Sequence, residues 1–338
     1  MSTNREWIKE VLAHHDGAPV PYNFSFSPPA RCRVAEHYGI SGNLEEALDF
    51  PIRMSGCKTI KPLFADPAQF GATAIDEFGV VWATNALDRG TPVGHPLTEA
   101  TLAHYTFPDP AAAYRFEGLG EWCRQNQDHY TILWIGDLWE RAVFMRGMES
   151  LLLDWVLNPG FVEALLGRLR DYILATMGIL FAQFEFDAVA LSDDYGTQRA
   201  LLVSPAEWRA RIKPLLKEIY TLARRRGRVV FHHSCGNITP IIPDLIEIGL
   251  DILHPVQPEA MDINKLKREF GRDLTLCGGI RTQDLLPCGT PAQVRAEVQR
   301  LKRELGKGGG FVLEPGITLL ADVPLENLVA VIEEARKG

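Results

Sequence analysis

The sequence predicts an α/β protein that folds as a single (β/α)8 TIM barrel with an N-terminal helical extension and a long loop excursion. Short apolar runs alternate with helical patterns through the second half of the chain, which is typical of a parallel sheet wrapped by helices. About eight candidate strands can be counted, the number that closes such a barrel. No G-x-G-x-x-G motif follows the first candidate strand, and the glycines at 308–310 precede a strand instead of opening a helix. A doubly wound open sheet with a dinucleotide site is therefore the less favoured alternative.

The composition is that of an ordinary globular enzyme. The 338 residues are 46% hydrophobic and 23% charged, without a break that would mark a second domain, so residues 1–338 are expected to form one domain. The net charge of -8 argues against a nucleic-acid or anionic membrane surface, because both require clustered lysine and arginine. Six scattered cysteines indicate reduced thiols. With a polar N-terminus and no apolar run of membrane-spanning length, a cytoplasmic location is expected.

The first half of the chain carries the less regular patterns. A helix is predicted over 3–15, because Thr3 or Asn4 can cap it and apolar residues recur on one face. Residues 86–110, rich in glycine and proline, are expected to form the long excursion over the surface. The other elements predicted here are a strand over 19–26, helices near 35–38 and 44–48, a strand–turn–strand pattern within 71–85, a helix ending near 126 and a buried strand over 130–135.

The second half has a regular rhythm of strand and helix. A helical pattern covers most of 138–185 and breaks near Asn158-Pro159-Gly160. Strands are then predicted over 188–191, 229–232, 251–253, 274–276 and 311–313, with helices over 205–226, 238–248, 263–270, 291–305 and 324–336. In a barrel, the carboxyl ends of these strands lie on one rim, where ligands bind.

Ligand-type side chains are concentrated at those strand ends. They are Asp193, Asp194, His232, His233, Cys235, His254, Cys277 and Glu314. Each also has a structural explanation: Asp194 could cap a helix, His254 could be a core histidine, and Cys277 could be packed rather than reactive. Taken together, they predict a functional site at the barrel mouth.

The centre of this site is the H-x-C motif formed by His233 and Cys235 at the end of a predicted strand. Because side chains alternate along an extended backbone, both can point the same way and supply half of a tetrahedral zinc site. The simpler alternative is a packed cysteine beside a histidine bonded to backbone. Glu314 is the best third ligand, and Asp193, Gln257 or a substrate atom could complete the shell. A thiolate and a carboxylate would leave zinc about neutral, with an open position for Lewis-acid chemistry.

Several stretches of the chain resemble the uroporphyrinogen decarboxylase superfamily. They include LSDDYGTQRALL (191–202), FHHSCGNITPII (231–242), LCGGIRTQDLLPCG (276–289) and GGGFVLEPGITLLADVP (308–324). Upstream, DEFGVVWA (76–83) and RAVFMRGMESLLLDWVLNP (141–159) are similar to its methyltransferase-like members. The resemblance covers roughly residues 17–337 and implies a single (β/α)8 barrel, in agreement with the strand pattern.

The superfamily has two main functional branches, and the sequence departs from a feature of each. Decarboxylase members use no metal and bind the carboxylates of a porphyrinogen through paired arginines, a pair that residues 22–31 lack. Members of the other branch are zinc-dependent methyltransferases that work with corrinoid proteins and carry H-x-C plus a later cysteine. His233 and Cys235 match the H-x-C, whereas the later cysteine falls near Ile317, three residues after Glu314. The resemblance therefore implies a demethylase that acts on the methyl donor, rather than a thiol-accepting enzyme.

Residues and resemblance together predict a corrinoid-dependent methyltransferase. It would move a methyl group from a small methylated substrate, such as an aromatic methyl ether in O-demethylation, to a corrinoid (cobalamin) carried by a partner protein. Zinc, held by His233, Cys235 and Glu314, would stabilise the demethylated anion. The expected catalytic residues are Asp193, Asp194 and Tyr195. The expected substrate-binding residues are Phe24, Phe26, Trp82, His232, His254 and Gln257.

Alternatives stay open for both the residues and the function. The run from Asp193 to Tyr195 could be a capping cluster at a helix start, and the aromatic residues could be ordinary core. A metal-free decarboxylase (a carboxy-lyase) is the alternative enzyme. A third reading is a barrel kept as a non-catalytic binding subunit, which would need neither metal nor turnover.

Overall fold

The computed structural model of the protein describes residues 3–59, 72–83 and 90–337. The strands in these ranges are β1 Ile52–Gly56, β2 Thr73–Ile75, β3 Val81–Ala83, β4 Thr91–Gly94, β5 Tyr130–Gly136, β6 Ala188–Ser192, β7 Val229–His233, β8 Ile252–Val256, β9 Thr275–Ile280 and β10 Phe311–Pro315. The helices are α1 Asn4–Leu12, α2 Pro28–Tyr38, α3 Leu44–Ala47, α4 Leu119–Gln125, α5 Trp139–Arg146, α6 Met148–Leu157, α7 Pro159–Gln183, α8 Pro205–Arg211, α9 Lys213–Arg225, α10 Ile242–Ile248, α11 Ile263–Phe270, α12 Leu285–Cys288, α13 Pro291–Leu305 and α14 Leu325–Arg336. Within these ranges no helix has both the length and the apolar character needed to cross a membrane.

The main sheet is the parallel sheet that the sequence predicts. Seven of the described strands lie in the order β1-β5-β6-β7-β8-β9-β10, and every neighbouring pair is parallel. Residues 21–26 continue it beyond β10, where Tyr22 bridges Leu313 in parallel and the Asn23 amide donates to the Leu313 carbonyl at 3.1 Å. The predicted first strand thus lies beside the last one, but pairs through isolated bridges. Because spatial order follows chain order, the predicted TIM-barrel class is confirmed.

The predicted strand–turn–strand region forms part of a second sheet, separate from the barrel sheet. β2 and β3 pair antiparallel, and β4 from the predicted excursion adds the third strand of this small sheet among the described residues. Asp76 fixes the turn, because its carboxylate accepts from the amides of Phe78 and Val80 and from Trp82 Nε1, each at 3.0 Å. The start of the excursion, at 86–89, lies outside the described residues.

The barrel strand that the sequence pattern misses is β1. Its residues, IRMSG, contain no apolar run, yet Arg53 within it is only 5% exposed. The Arg53 guanidinium donates to the Phe50 carbonyl and lies 3.1 Å from His129 Nε2. A buried arginine is tolerated where partners satisfy its donors, and an apolar-run criterion cannot recognise such a strand.

Alternate residues of the strands fill the barrel interior. Its apolar layers consist of Ile8, Ile52, Tyr130, Ile132, Ala188, Ala190, Phe231, Ile252, Cys277 and Val312. Two positions further along four of these strands, the interior residue is polar: Ser192, His233, His254 and Glu314. The period-two alternation therefore places polar side chains on the interior wall above the apolar layers, at the carboxyl ends of the strands.

Helix α1 packs against the opposite, amino-terminal end of the barrel. Ile8 of α1 is 1% exposed and belongs to the interior cluster. Arg5 anchors the helix, because its Nε donates to Asp187 Oδ1 at 2.8 Å. The other carboxylate oxygen of Asp187 accepts from the amide of Thr131 on β5 at 3.1 Å. The helical extension predicted from the sequence is therefore part of the barrel core.

We expect Ile8→Ala to lower the free energy of unfolding by about 2–5 kcal/mol, because it leaves a cavity where α1 closes the barrel. Chemical denaturation followed by circular dichroism measures the change. Glu10→Ala, at an exposed position of the same helix, is the matched control and should change stability by less than about 0.5 kcal/mol. Equal effects of the two substitutions would contradict this role of α1.

Candidate active site

A cavity of about 530 Å³ opens at the carboxyl ends of the barrel strands. Its polar lining consists of Ser25, Ser192, Asp194, His233, Cys235, His254, Glu314 and Thr318, and its apolar lining of Met54, Trp134, Phe231, Ile317 and Leu320. Small-molecule sites usually measure about 300–1,000 Å³ and combine an apolar wall with a few convergent polar groups. This mouth cavity has both properties.

A first cluster on the mouth cavity consists of Asp194, His233 and Cys235, whose ligand atoms lie within 4.8 Å of one another. His233 Nε2 lies 3.4 Å from Cys235 Sγ and 3.4 Å from Asp194 Oδ1. Tetrahedral zinc, with bonds of about 2.0–2.3 Å, holds its ligand atoms about 3.3–3.8 Å apart, so both distances fit that ion. Carboxylate, imidazole and thiolate are also the donors that zinc accepts.

The charge of Asp194 depends on His233. Burial acts to raise the pKa of Asp194, but the hydrogen bond and the charge attraction to His233 outweigh it and leave this pKa below its usual value. The Cys235 amide also donates to Asp194 Oδ1, at 2.6 Å, and favours the ionised form. The first cluster therefore presents a carboxylate to the cavity.

Two glycines set the spacing within this cluster. The loops that follow β6 and β7 touch each other at Gly196 and Gly236. A β-carbon at Gly196 would lie 2.8 Å from a backbone carbon of Gly236, and one at Gly236 would lie 2.5 Å from a backbone carbon of Gly196. Gly236 also has a φ of 81°, which glycine adopts without strain. This close approach brings the Cys235 amide to the Asp194 carboxylate.

A second cluster, His254, Cys277 and Glu314, is buried beside the first. The Cys277 thiol donates to Glu314 Oε2 at 3.1 Å, and Asn23 Nδ2 donates to Glu314 Oε1 at 3.1 Å. Burial raises the pKa of Glu314 to about 7 and lowers the pKa of His254. His254 Nε2 lies 3.7 Å from Glu314 Oε2. The two clusters meet where His233 Nδ1 lies 2.8 Å from His254 Nδ1.

The zinc ligands predicted from the sequence are divided between the two clusters. His233 and Cys235 lie in the first, with Asp194 beside them, whereas Glu314 lies in the second. The segment after β6 brings Asp194 beside His233 and Cys235, whereas Glu314 at the end of β10 faces His254 of β8. Ile317, which falls near the later cysteine of the resembling methyltransferases, lines the mouth cavity.

Of the three predicted catalytic residues, Asp194 alone is among the described residues that line the mouth cavity. Asp193 is fully buried, and its Oδ1 accepts from the amides of Leu138 and Glu140, each at 2.9 Å. The Tyr195 hydroxyl, also buried, donates to Asp193 Oδ2 at 3.0 Å. Burial raises the pKa of Asp193 to about 8. Asp193 and Tyr195 are therefore not among the described residues of the cavity lining; they join the end of β6 to the start of α5.

The predicted polar substrate-binding residues occupy different positions. His254 lines the mouth cavity. Gln257 is 3% exposed and its side-chain oxygen accepts from the Gly236 amide at 3.1 Å, so it supports the loop after β7. His232 is fully buried, and its Nδ1 lies 2.6 Å from the Tyr220 hydroxyl. His232 therefore lies in the core, outside the described lining of the mouth cavity.

The predicted apolar residues form core elsewhere. Phe24 and Phe26 are buried, and the ring of Phe24 packs at 5.6 Å from that of Phe50. Trp82 is buried in the small antiparallel sheet, where its ring lies 5.0 Å from that of Phe144. None of these three is among the described residues of the mouth-cavity wall.

Sequence reasoning missed the apolar residues that do form the wall. Phe231 stands two positions before His233, so the alternation along β7 was a usable signal. Trp134 lies in a predicted strand, but nothing local showed which face of that strand is interior. Met54 belongs to β1, the strand that the pattern missed.

A parallel barrel with ligand-type side chains gathered at the carboxyl ends of its strands is the architecture of a barrel enzyme. The family model described as "Uroporphyrinogen decarboxylase (URO-D)" matches residues 94–338. The chain therefore belongs to this family, which confirms the resemblance predicted from the sequence motifs.

The similar proteins include one named as a methyltransferase and one named as a decarboxylase. The chain is 22% identical over 196 residues to a methylated-thiol–coenzyme M methyltransferase of Methanosarcina mazei, covering 58% of this chain and 50% of that protein. It is 30% identical over 177 residues to a uroporphyrinogen decarboxylase of Thermus thermophilus, covering 51% and 48%. The chain thus spans about half the length of the curated relatives it matches. A solved methyltransferase structure from Methanosarcina mazei shares the fold, with a TM-score of 0.73, 16% identity and coverage of 99% of this chain and 98% of that chain.

We expect Asp193→Ala to lower the free energy of unfolding by about 2–5 kcal/mol, because it leaves buried donors of Leu138, Glu140 and Tyr195 without an acceptor. Asp193→Asn keeps one acceptor oxygen for the two amides and should cost clearly less. Chemical denaturation of both variants measures the difference. Wild-type stability of Asp193→Ala would show that the residue does not hold the start of α5.

Proposed function

We propose that the protein is a zinc-dependent methyltransferase that moves a methyl group from a small methylated substrate to a corrinoid carried by a partner protein. The observation that carries this proposal is the cluster of Asp194, His233 and Cys235 on the wall of the mouth cavity. Family membership and the Methanosarcina relative, named as a methyltransferase, support methyl transfer. The corrinoid and its partner protein are what the resemblance to the zinc methyltransferase branch implies.

Asp194, His233 and Cys235 would hold the zinc ion as carboxylate, imidazole and thiolate. This set replaces the predicted one, because Asp194 and not Glu314 lies beside His233 and Cys235. Its two anionic groups balance the charge of the ion. Bound zinc would supply Lewis-acid stabilisation of the anion that remains when the substrate loses its methyl group. Three protein ligands leave room for a substrate atom, as in catalytic zinc sites.

The cavity wall supports an aromatic methyl ether as the methyl donor. The rings of Trp134 and Phe231 are 5.9 Å apart and nearly perpendicular, at 83°, so they form an apolar corner. A flat substrate ring can stack on one of these rings and meet the edge of the other. The Ser25 and Thr318 hydroxyl groups, 3.3 Å apart, offer hydrogen bonds on the same wall. A cavity of about 530 Å³ accommodates a compound of this size.

A metal-free decarboxylase is the second candidate, and the Thermus relative favours it. A polyanionic tetrapyrrole needs several fixed cations in its site. The part of the lining that the structure describes contains two carboxyl groups, Asp194 and Glu314, and neither arginine nor lysine. The electrostatics of this wall therefore support a cation rather than a polyanion as the partner of the site.

We expect about one zinc ion per chain in the purified protein, lost in Cys235→Ala and weakened in Asp194→Asn, because each substitution removes a proposed ligand. Elemental analysis by mass spectrometry after gel filtration gives the stoichiometry. Cys32→Ser, which changes an exposed cysteine outside the cluster, is the matched control and should keep the metal. Zinc at full stoichiometry in Cys235→Ala would exclude this site.

We expect the zinc-loaded protein to convert cob(I)alamin to methylcobalamin when it is given an aromatic methyl ether. Cys235→Ala should slow this reaction by about 100-fold or more, since Lewis-acid stabilisation is worth several kcal/mol. The absorbance change of the corrinoid measures the rate, with methylamines and methylated thiols as competing donors. Full activity after chelation of the metal, or metal-independent decarboxylation of uroporphyrinogen, would overturn the proposal.

A further inference from the structure

The contact between the two clusters carries a consequence for the metal site. His233 and His254 are register partners on the neighbouring strands β7 and β8, and their ring centroids are 4.9 Å apart. Their Nδ1 atoms lie 2.8 Å apart, which is hydrogen-bond distance. Outward from this contact, His233 Nε2 faces Cys235 and Asp194, and His254 Nε2 faces Glu314.

A hydrogen bond between two imidazole nitrogens needs one proton between them. A neutral imidazole has one N–H and one bare nitrogen, so one ring donates through Nδ1–H and the other accepts at a bare Nδ1. The donor ring therefore has a bare Nε2, and the acceptor ring carries its proton on Nε2. Of His233 and His254, one alone can offer Nε2 to a cation at any moment.

The position of a cation thus fixes both tautomers. A cation on His233 Nε2 makes His233 the Nδ1–H donor and places an N–H on His254 Nε2, facing Glu314 Oε2 at 3.7 Å. A cation in the second cluster would reverse both assignments and place a proton on His233 Nε2. While both imidazoles are neutral and hydrogen-bonded to each other, they cannot bind a cation in both clusters at once.

Packing favours the first of these arrangements. His254 is held against Phe231, with ring centroids 5.2 Å apart and an interplanar angle of 29°. Its Nε2 is buried and faces Glu314, and the His254 ring also interacts with the backbone carbonyl of Pro315. Asn23 and Cys277 already donate to the two oxygens of Glu314 and fix that carboxyl group. Both clusters border the mouth cavity, but the first is the more accessible: the side chains of His233 and Asp194 are 19% and 39% exposed, those of His254 and Glu314 9% and 7%.

We infer that His254 is a positioning residue that holds His233 in the tautomer able to bind a metal ion, so that the two clusters together bind one ion and not two. The inference rests on the proposed zinc site. The other ring nitrogen of a metal-bound histidine usually donates to a fixed acceptor, and loss of that acceptor typically weakens metal binding by about 10–100-fold. Here the acceptor is another histidine.

The test compares His254→Phe with His254→Asn. His254→Phe keeps a flat ring but removes the acceptor, and should raise the zinc dissociation constant by about 10–100-fold. His254→Asn places an amide oxygen near the position of Nδ1 and should restore most of the affinity. Competition with a chromophoric chelator measures the dissociation constant, and circular dichroism establishes that each variant is folded. Cys277→Ser, which changes the second cluster, is the control and should still bind one zinc ion per chain.

A measurement on the unmodified protein makes the test independent of variants. With zinc bound, ¹⁵N shifts of the histidine side chains should show His233 protonated on Nδ1 and His254 protonated on Nε2. Two zinc ions per chain, the opposite tautomers, or equal zinc affinity of His254→Phe and wild type would each overturn the inference. In those cases a zinc ion that is lost in Cys235→Ala would leave the proposed function intact, whereas absence of zinc from the wild type would reject the function itself.

Discussion

The alternation of side chains along parallel strands is the constraint on which the whole site depends. On β7, alternate side chains face the barrel interior: Phe231 lies in the apolar layers and His233 lines the mouth cavity. His232, between them, faces the opposite side and lies in the core beside Tyr220. The same alternation brings Glu314 of β10 to the cavity wall above Val312. A shift of one residue in the register of a strand would turn its cavity-lining side chains towards the outer core and bring core side chains to the cavity, because successive side chains face opposite sides.

Burial and hydrogen bonding give the two clusters different chemistry. Asp194 is kept ionised by His233 and the Cys235 amide at the edge of the cavity, where a cation can reach it. Glu314 is buried, its pKa is raised to about 7, and its oxygens accept from Asn23 and Cys277. Both donor sets line the cavity, but the side chain of Asp194 is 39% exposed and that of Glu314 is 7% exposed, so the first cluster is the more accessible to a ligand.

Much of the fold was predictable, because β5 to β10 are short apolar runs that alternate with periodic helices. The pairing of His233 with Cys235 followed from alternation alone. The choice between Asp194 and Glu314 did not, because it depends on which strands are neighbours and on how closely two loops approach. Asp193 and Tyr195 could not be separated from Asp194 without knowing that α5 begins where it can donate to Asp193. β1 was missed because the partners of its buried Arg53 lie outside the strand.

The meeting of Gly196 and Gly236 has a mechanical consequence. With no side chain between them, the loops after β6 and β7 are stacked main chain on main chain and cannot slide past one another freely. We therefore expect a motion of the barrel rim to move the two loops together, and with them the carboxylate of Asp194 and the thiol of Cys235. The entrance of the cavity can then widen for a ligand while the distance between these two side chains stays the same.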